Sequence, residues 1–494
     1  MRVASALSVV YKVLNGRRKD AVMRSMTTRF RLAVLVVVVA LGAALAPSAV
    51  GANVAASRSL DLEVTYMKGF TAPGTPEKLN RVGVIKIGPE DAKNVLVLVP
   101  GTSAGSGYFV PLARDVVDAT DDWQVWSVER RENQLEDHSV LDQGKRGKAT
   151  SQEVFDYYLG YLDDSTVSPH HEPVDDATVP FARDWGMNVT IEDLHRVVKA
   201  ASKQGGDVVL GGHSLGGSIV TAYATWDFDG KAGVEDLAGL VYIDGGSNPA
   251  PVTPEEATSS LDELAAGSPW LSFGGIPAPL AGVFAALGGA GTITDPDSPS
   301  IGQAWPLLPA FLKPPVPVTN EAQFGYALDA ETSPMSLRAA QVNAGHLAEN
   351  GDPHGWERGG EITPLRRWAA MLSGIDVKGA DGSAWYHPMR LTIDSQAVAA
   401  GNANPAQDVL DVHATHGDAI DVPIYAFGAA LGGQRVLDAA SALAAQSGLD
   451  ESDLTLINRE TTYTHNDPSA ASPDNEFVDN LLPFLEKIGK RAKG

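Results

Sequence analysis

The sequence predicts an α/β fold: a mostly parallel sheet with helices packed on both faces. Three observations predict it. Short β-rich runs alternate with helical patterns over residues 60–246, and again over 419–490. The stretch "NVLVLVPG" (94–101) is a continuous apolar run, as a strand buried on both faces requires. The stretch "GGHSLGG" (211–217) joins an apolar run to a helical one, where a sharp strand-to-helix turn belongs.

Taken in order, "LDLEVTYMKGF" (60–70) and "RVGVIKIG" (81–88) read as two early strands. "NVLVLVPG" follows, then the helical "YFVPLARDVVDAT" and the strand "WQVWSVER" (123–130). After a polar excursion, "IEDLHRVVKAASKQGG" (191–206) has the spacing of an amphipathic helix closed by glycines. Next come "DVVLGGHS", the helix "LGGSIVTAYATW" and the strand "GLVYIDGG" (239–246). The rhythm breaks over residues 247–418, which are rich in Pro, Gly, Ala and Trp with helical fragments. That length exceeds any simple loop and predicts an inserted, mainly helical and irregular cap. The rhythm resumes with "VPIYAFGA" (422–429), "GQRVLDAASALAAQSG", "LTLIN" (454–458) and a last helix, "NEFVDNLLPFLEKIGKR". The expected organisation is a leader over 1–52, a core built from 53–246 and 419–494, and a cap over 247–418.

Composition narrows the function. The chain has 494 residues, 44% of them hydrophobic, enough for a sizeable core. Its net charge is −23, and the first 52 residues, with eight Lys/Arg against one Asp, leave −30 on the rest. So acidic a body repels phosphate backbones, so no nucleic-acid partner is expected. There is no cysteine, which removes disulfides, thiol catalysis and thiolate metal sites. Arg24, Arg29 and Arg31 precede an uncharged apolar run from Leu32 to Ala46, then small residues to Ala52. That is the layout of a secretory signal peptide, with Met26 a plausible start. The run is short for a membrane span, and an uncleaved leader is the only membrane contact expected. The protein is expected to be secreted.

Gly212-His213-Ser214-Leu215-Gly216 fits G-x-S-x-G in the context the pattern needs. Flanking glycines relieve crowding, and the following helix brings partial positive charge to Ser214. On these residues, and on the order of elements over 60–246 and 419–490, the chain resembles the α/β-hydrolase fold family. The resemblance implies an eight-stranded sheet and a Ser, acid, His triad in that chain order. It implies Ser214 as nucleophile. His465, the only histidine in "LINRETTYTHNDPSA" after the eighth strand, is implied as base. His213 fills the variable position of the motif and is expected to pack.

The acid departs from the family's commonest pattern. In the turn after the seventh strand, Leu431 stands where a carboxylate usually does, and residues 422–437 hold no Asp or Glu. Some family members carry the acid at the end of the sixth strand, where this chain has Asp244, the favoured candidate. Asp438, in the next helix, is the alternative. The oxyanion of the tetrahedral intermediate needs two backbone donors. The resemblance implies Leu215, after the serine, and Thr102 in "VPGTSAGSGYF", with Ser103 next; Pro100-Gly101 replaces the family's frequent His-Gly.

Other residues are read more plainly. Asp411, His413, His416 and Asp418 are ligand types at close spacing, but in so acidic a chain they read as a solvated loop, as does "SPHHEPVDD" (168–176). No metal and no cofactor is expected. Asn188-Val189-Thr190 matches a glycosylation acceptor. Trp270, Trp305, Trp356, Trp368 and Trp385, with Phe273, Phe284, Phe311 and Phe324, serve either the cap's own core or an apolar pocket. The expected function is a secreted serine hydrolase of carboxylic esters, with a small-molecule or lipid-like substrate. Amidase, peptidase, lactonase and acyltransferase chemistry shares the triad and stays open. Dehalogenase and epoxide hydrolase relatives use a carboxylate nucleophile where this chain has Ser214. A binding protein on a hydrolase scaffold is the rival from another class, favoured by Leu431 and opposed by the intact serine and histidine.

Overall fold

The computed structural model describes residues 58–491. The leader read in residues 1–52 lies outside the described residues. Eight strands form the main sheet: β1 (Thr65–Lys68), β2 (Arg81–Ile87), β3 (Asn94–Val99), β4 (Trp123–Glu129), β5 (Val208–His213), β6 (Gly239–Ile243), β7 (Ile424–Gly428) and β8 (Leu454–Asn458). Their spatial order is 1-2-4-3-5-6-7-8. The β2 strand pairs antiparallel with β1 and β4, and every other pairing is parallel. Among the described residues no helix is long and apolar enough to cross a membrane.

The apolar run of β3 shows why the sheet is covered twice. Alternate side chains point to opposite faces. Val95, Val97 and Val99 join one core with Leu210 and Leu240; Leu96 and Leu98 join the other with Val209, Val241 and Phe427. The first core is closed by α2 (Met187–Ser202), α3 (Leu215–Ala224) and α8 (Gln434–Ser447). The second is closed by α1 (Val110–Asp118), α7 (Leu365–Ser373) and α9 (Glu476–Arg491).

Two local expectations are corrected. The first strand expected over 60–70 is two pieces: Leu62–Glu63 pairs in parallel with Val377–Lys378, and only Thr65–Lys68 joins the main sheet. The helix expected over 191–206 starts earlier and ends earlier, at 187–202. Its N-cap, Gly186, offers no side chain. Asp394, distant in sequence, accepts the Met187 N–H at 2.9 Å and supplies the cap. Asn188 therefore sits in the first helical turn, bonded to Asp411.

Residues 247–418 run between β6 and β7. They hold α4 (Pro254–Ala266), α5 (Leu280–Thr294), α6 (Asn320–Leu328), the hairpin His346–Gly351/His354–Glu357 and α7. The α5 sequence, "LAGVFAALGGAGTIT", is apolar nearly all round, and α6 and α7 pack against it. The insertion is stitched to the core at several points. Asp394 caps α2, Val377–Lys378 holds the N-terminal strand, and Arg367 of α7 pairs with Asp115 of α1.

Asp394 is 1% exposed and also pairs with Arg390 at 2.6 Å. Its replacement by alanine uncaps α2 and leaves a half-buried guanidinium short of a partner. Asp394→Ala is expected to cost about 3 kcal/mol of stability, read as a lower urea midpoint.

Candidate active site

The β5 strand is buried along its whole length and delivers Ser214 to the start of α3. Ser214 has φ 56° and ψ −123°, a backbone conformation that side-chain-bearing residues seldom adopt. Two bonds hold it there. The Ser214 N–H donates to Ile243 O at 3.0 Å, and Ser214 O accepts from the Gly217 N–H at 2.9 Å. The turn is so tight that a Cβ on Gly212 would lie 2.2 Å from Gly216 O. Only glycine fits at position 212 without moving the helix start.

Asp244 follows β6 with φ 43° and turns its carboxylate toward the end of the neighbouring strand, β7. Its Oδ1 accepts from the N–H groups of Ala429, Gly432 and Gly433 at 2.6, 2.9 and 3.1 Å. Its Oδ2 accepts from Leu431 N–H at 3.2 Å and from His465 Nδ1 at 2.6 Å. The turn that lacks a carboxylate therefore serves as a backbone nest for one from the next strand. The two side chains are 0% and 2% exposed. Burial alone would raise the Asp244 pKa. The His465 hydrogen bond, its charge and the Ala429 N–H outweigh burial and hold the carboxyl below the ordinary range. Asp438 is exposed on α8, bonded to Gln434.

His213 braces His465 from below. It stacks on Tyr108 at 5.1 Å, and its Nε2 lies 2.9 Å from His465 O, so that nitrogen carries the proton and donates. Burial first, then the neighbouring His465 charge, push its pKa down to about 3, so the ring is neutral. Tyr108 donates to Asn466 Oδ1 at 2.9 Å, and Asn466 donates to Gln341 O at 2.9 Å. The loop carrying His465 is thus fixed on both sides of the ring. Nothing in the sequence marks Tyr108 or Asn466 for this work.

The loop over residues 100–104 comes so close that a Cβ on Gly101 would lie 2.8 Å from Ser214 Cβ. Buried Arg130 holds the back of that loop. Its guanidinium donates to Pro100 O at 2.8 Å, Gly101 O at 3.2 Å and Ala104 O at 3.1 Å, and its Nε to Glu132 at 2.6 Å. In a trans peptide the carbonyl and the next N–H point in opposite directions. Arg130 on Gly101 O therefore turns the Thr102 N–H away from itself. Neither Thr102 N–H nor Leu215 N–H donates to a protein acceptor among the described residues. Ser103 N–H is taken: it donates to His387 Nδ1 at 3.3 Å.

Ser214, His465, Thr102, Tyr108 and Leu431 line one cavity, with about 1250 Å³ of empty space, part of it open to solvent. The insertion supplies most of its apolar wall, including Phe273, Phe284, Phe324, Leu337 and Trp368. The other insertion aromatics divide. Trp305 lines an adjoining apolar cavity, while Trp270 packs on Trp185 and Tyr386, and Trp385 on His138. The close-spaced acids and histidines near 411–418 do not converge: His413 meets Asp411 at 3.0 Å, and His416 meets Asp227 at 3.5 Å.

No protein-family model matches the chain. No curated protein matches it either. Solved structures do. A Sulfolobus solfataricus protein assigned as a lipase is 15% identical, with 87% of this chain and 93% of that one covered and a TM-score of 0.43. A thermophilic esterase from Thermogutta terrifontis is 11% identical, covering 86% and 99%, with a TM-score of 0.37. The thioesterase domain from the curacin biosynthetic pathway is 11% identical, covering 86% and 99%, with a TM-score of 0.38. The strand order, the antiparallel second strand and the turn at Ser214 decide the architecture. The fold is that of the α/β-hydrolases.

Within this α/β-hydrolase fold, the Asp244 nest has a pH signature. A folded-state pKa below the unfolded value adds stability above the unfolded pKa, and that stability is lost as pH falls through the folded one. Asp244→Asn is expected to lower stability at pH 7 by about 2 kcal/mol. The gap between variant and wild type is expected to close as the pH drops below about 4. Urea midpoints measured across pH check both points.

Proposed function

We propose that this protein is a serine hydrolase that cleaves carboxylic esters bearing an apolar group, through an acyl-enzyme. One observation carries the reading: His465, tied to Asp244 through Nδ1 at 2.6 Å, lines the same cavity as the strained Ser214. With Nδ1–H given to the carboxylate, the lone pair of Nε2 is left to act as base. Ser214 Oγ attacks the ester carbonyl as His465 takes its proton. The oxyanion is held by the N–H groups of Leu215 and Thr102, with the partial positive charge of the α3 N-terminus behind them. His465 then protonates the leaving alcohol. Water, activated by the same histidine, attacks the acyl carbonyl and frees Ser214. Asp244 stabilises the imidazolium in both halves. The aromatic and aliphatic wall from the insertion favours an apolar acyl or alcohol group. The leader read in residues 24–52 makes this an exported enzyme, and activity recovered from culture medium rather than cell extract tests that part.

A fluorophosphonate probe and a short-chain aryl ester test the chemistry. The wild type is expected to label and to hydrolyse the ester, and Ser214→Ala to do neither. Asp244→Asn is expected to lose about 10⁴-fold in kcat, with Asp438→Asn close to wild type. A folded wild-type chain that takes no label overturns the proposal in favour of a binding protein.

Arg130 acts through the loop over 100–104 and is a positioning residue. Arg130→Met is expected to lower kcat about 10²-fold with little change in KM, because the lost donor serves the transition state. Arg130→Lys is expected to recover part of it, since one ammonium reaches fewer carbonyls than the fork. An equal loss in KM, or no rescue, would reduce Arg130 to a packing role.

A further inference from the structure

Behind the loop over 100–104 lies a second cluster that the proposed chemistry does not use. Glu136 and His138 follow β4, and Asp381 comes from the insertion. His138 Nε2 lies 3.3 Å from Glu136 Oε2 and 3.2 Å from Asp381 Oδ2. The side chains of His138, Glu136 and Asp381 are 5%, 1% and 0% exposed. One ligand atom from each residue falls within a sphere where all lie within 4.8 Å of one another.

The outer oxygens are already held. Glu136 Oε1 accepts from Trp385 N–H at 2.7 Å. Asp381 Oδ1 accepts from Ser383 N–H and from Ser383 Oγ–H, each at 2.7 Å. On the inner side, Trp385 Nε1–H donates to Asp381 Oδ2, the oxygen that also faces His138, at 2.9 Å. The inner oxygen of Glu136 is different: buried and facing the ring nitrogen, it has no hydrogen-bond partner. A single Nε2–H serves one carboxylate well, and here it meets Asp381. Glu136 Oε2 is left with an ion contact to the ring at 3.3 Å and no aligned hydrogen bond, a poorly served oxygen that an ion between the three side chains would satisfy.

We propose that Glu136, His138 and Asp381 bind a divalent transition-metal ion, zinc by their donor set. Imidazole nitrogen and carboxylate oxygen are both zinc ligand types, and zinc bond lengths of about 2.0–2.2 Å set tetrahedral neighbours about 3.3 Å apart. The Trp385 and Ser383 donors then hold the carboxylates from outside, as partners behind metal ligands do. The ion would staple the insertion to the loop. Gly105 N–H donates to Gly382 O at 3.0 Å, Gly107 N–H to Asp381 O at 3.0 Å, and Ala384 N–H to Ser103 O at 2.9 Å. In a chain without cysteine, that fastening has no disulfide to replace it.

The full-length protein, saturated with zinc chloride and gel-filtered in metal-free buffer, is expected to keep about one zinc per chain by elemental mass spectrometry. Its melting temperature is expected to rise by about 5 °C with zinc and to fall back with dipicolinate. Glu136→Gln keeps the shape and removes the charge; it is expected to fold, by circular dichroism, and to lose both the zinc and the shift. Should it fail to fold, Ser383→Ala decides, with an expected tenfold or so loss of zinc affinity. A folded wild type without zinc, and indifferent to zinc and chelator, overturns the proposal and leaves an imidazolium between carboxylates. Zinc kept in full by Glu136→Gln, or unchanged affinity in Ser383→Ala, overturns it too. None of these readouts uses ester hydrolysis, so this inference and the proposed activity fail separately.

Discussion

The carboxylate of Asp244 is the interaction on which the rest of the site depends. It stands at the end of β6, takes four backbone N–H groups from the turn after β7, and still offers an oxygen to His465 beyond β8. Three adjacent strand ends are thereby fixed by one group. A buried carboxylate is costly unless its lone pairs are filled. Here they are filled mostly by backbone N–H groups, which donate without titrating. The charge therefore persists where it is needed, against the histidine, and the turn that supplies the dipoles needs no acid of its own.

The opposite wall of the cavity follows a similar logic with the signs reversed. Arg130 is a buried cation whose partners are mostly backbone carbonyls, with Glu132 balancing its charge. Filling the carbonyls of residues 100, 101 and 104 fixes which way the intervening peptides face. Behind it, residues 381–384 of the insertion run along the loop. The insertion thus shapes the site in two ways: its aromatics wall the cavity, and its backbone supports the loop from behind. It also caps α2 through Asp394, so it is part of the scaffold as well as a roof.

Much of the fold was legible in the sequence, because the signals there are local. Continuous apolar runs such as "NVLVLVPG" announce strands covered on both faces, and glycines around Ser214 announce a turn too tight for side chains. The start of the helix over 187–202 was missed because its cap comes from Asp394, about 200 residues away, which no local pattern contains. The split of the first strand has the same cause, since its partner, Val377–Lys378, lies in the insertion. Within the site, Ser214 and His465 were visible through motif and position. Arg130, Tyr108 and Asn466 were not, because a buried polar residue is indistinguishable from an exposed one in a string of letters.

By itself the sequence determined the alternation of strands and helices, the break at 247–418, and the residue types available at each strand end. Periodicity and turn chemistry act over a few residues, and they are written locally. Only the tertiary structure decided which carboxylate meets His465. Asp244 and Asp438 are both acids within reach of the right strands, but only Asp244 has four N–H donors arranged to hold its charge under burial. That arrangement comes from packing β6 beside β7, a contact between segments about 180 residues apart. The same holds for Asp381, which meets Glu136 and His138 only because the insertion packs on the core.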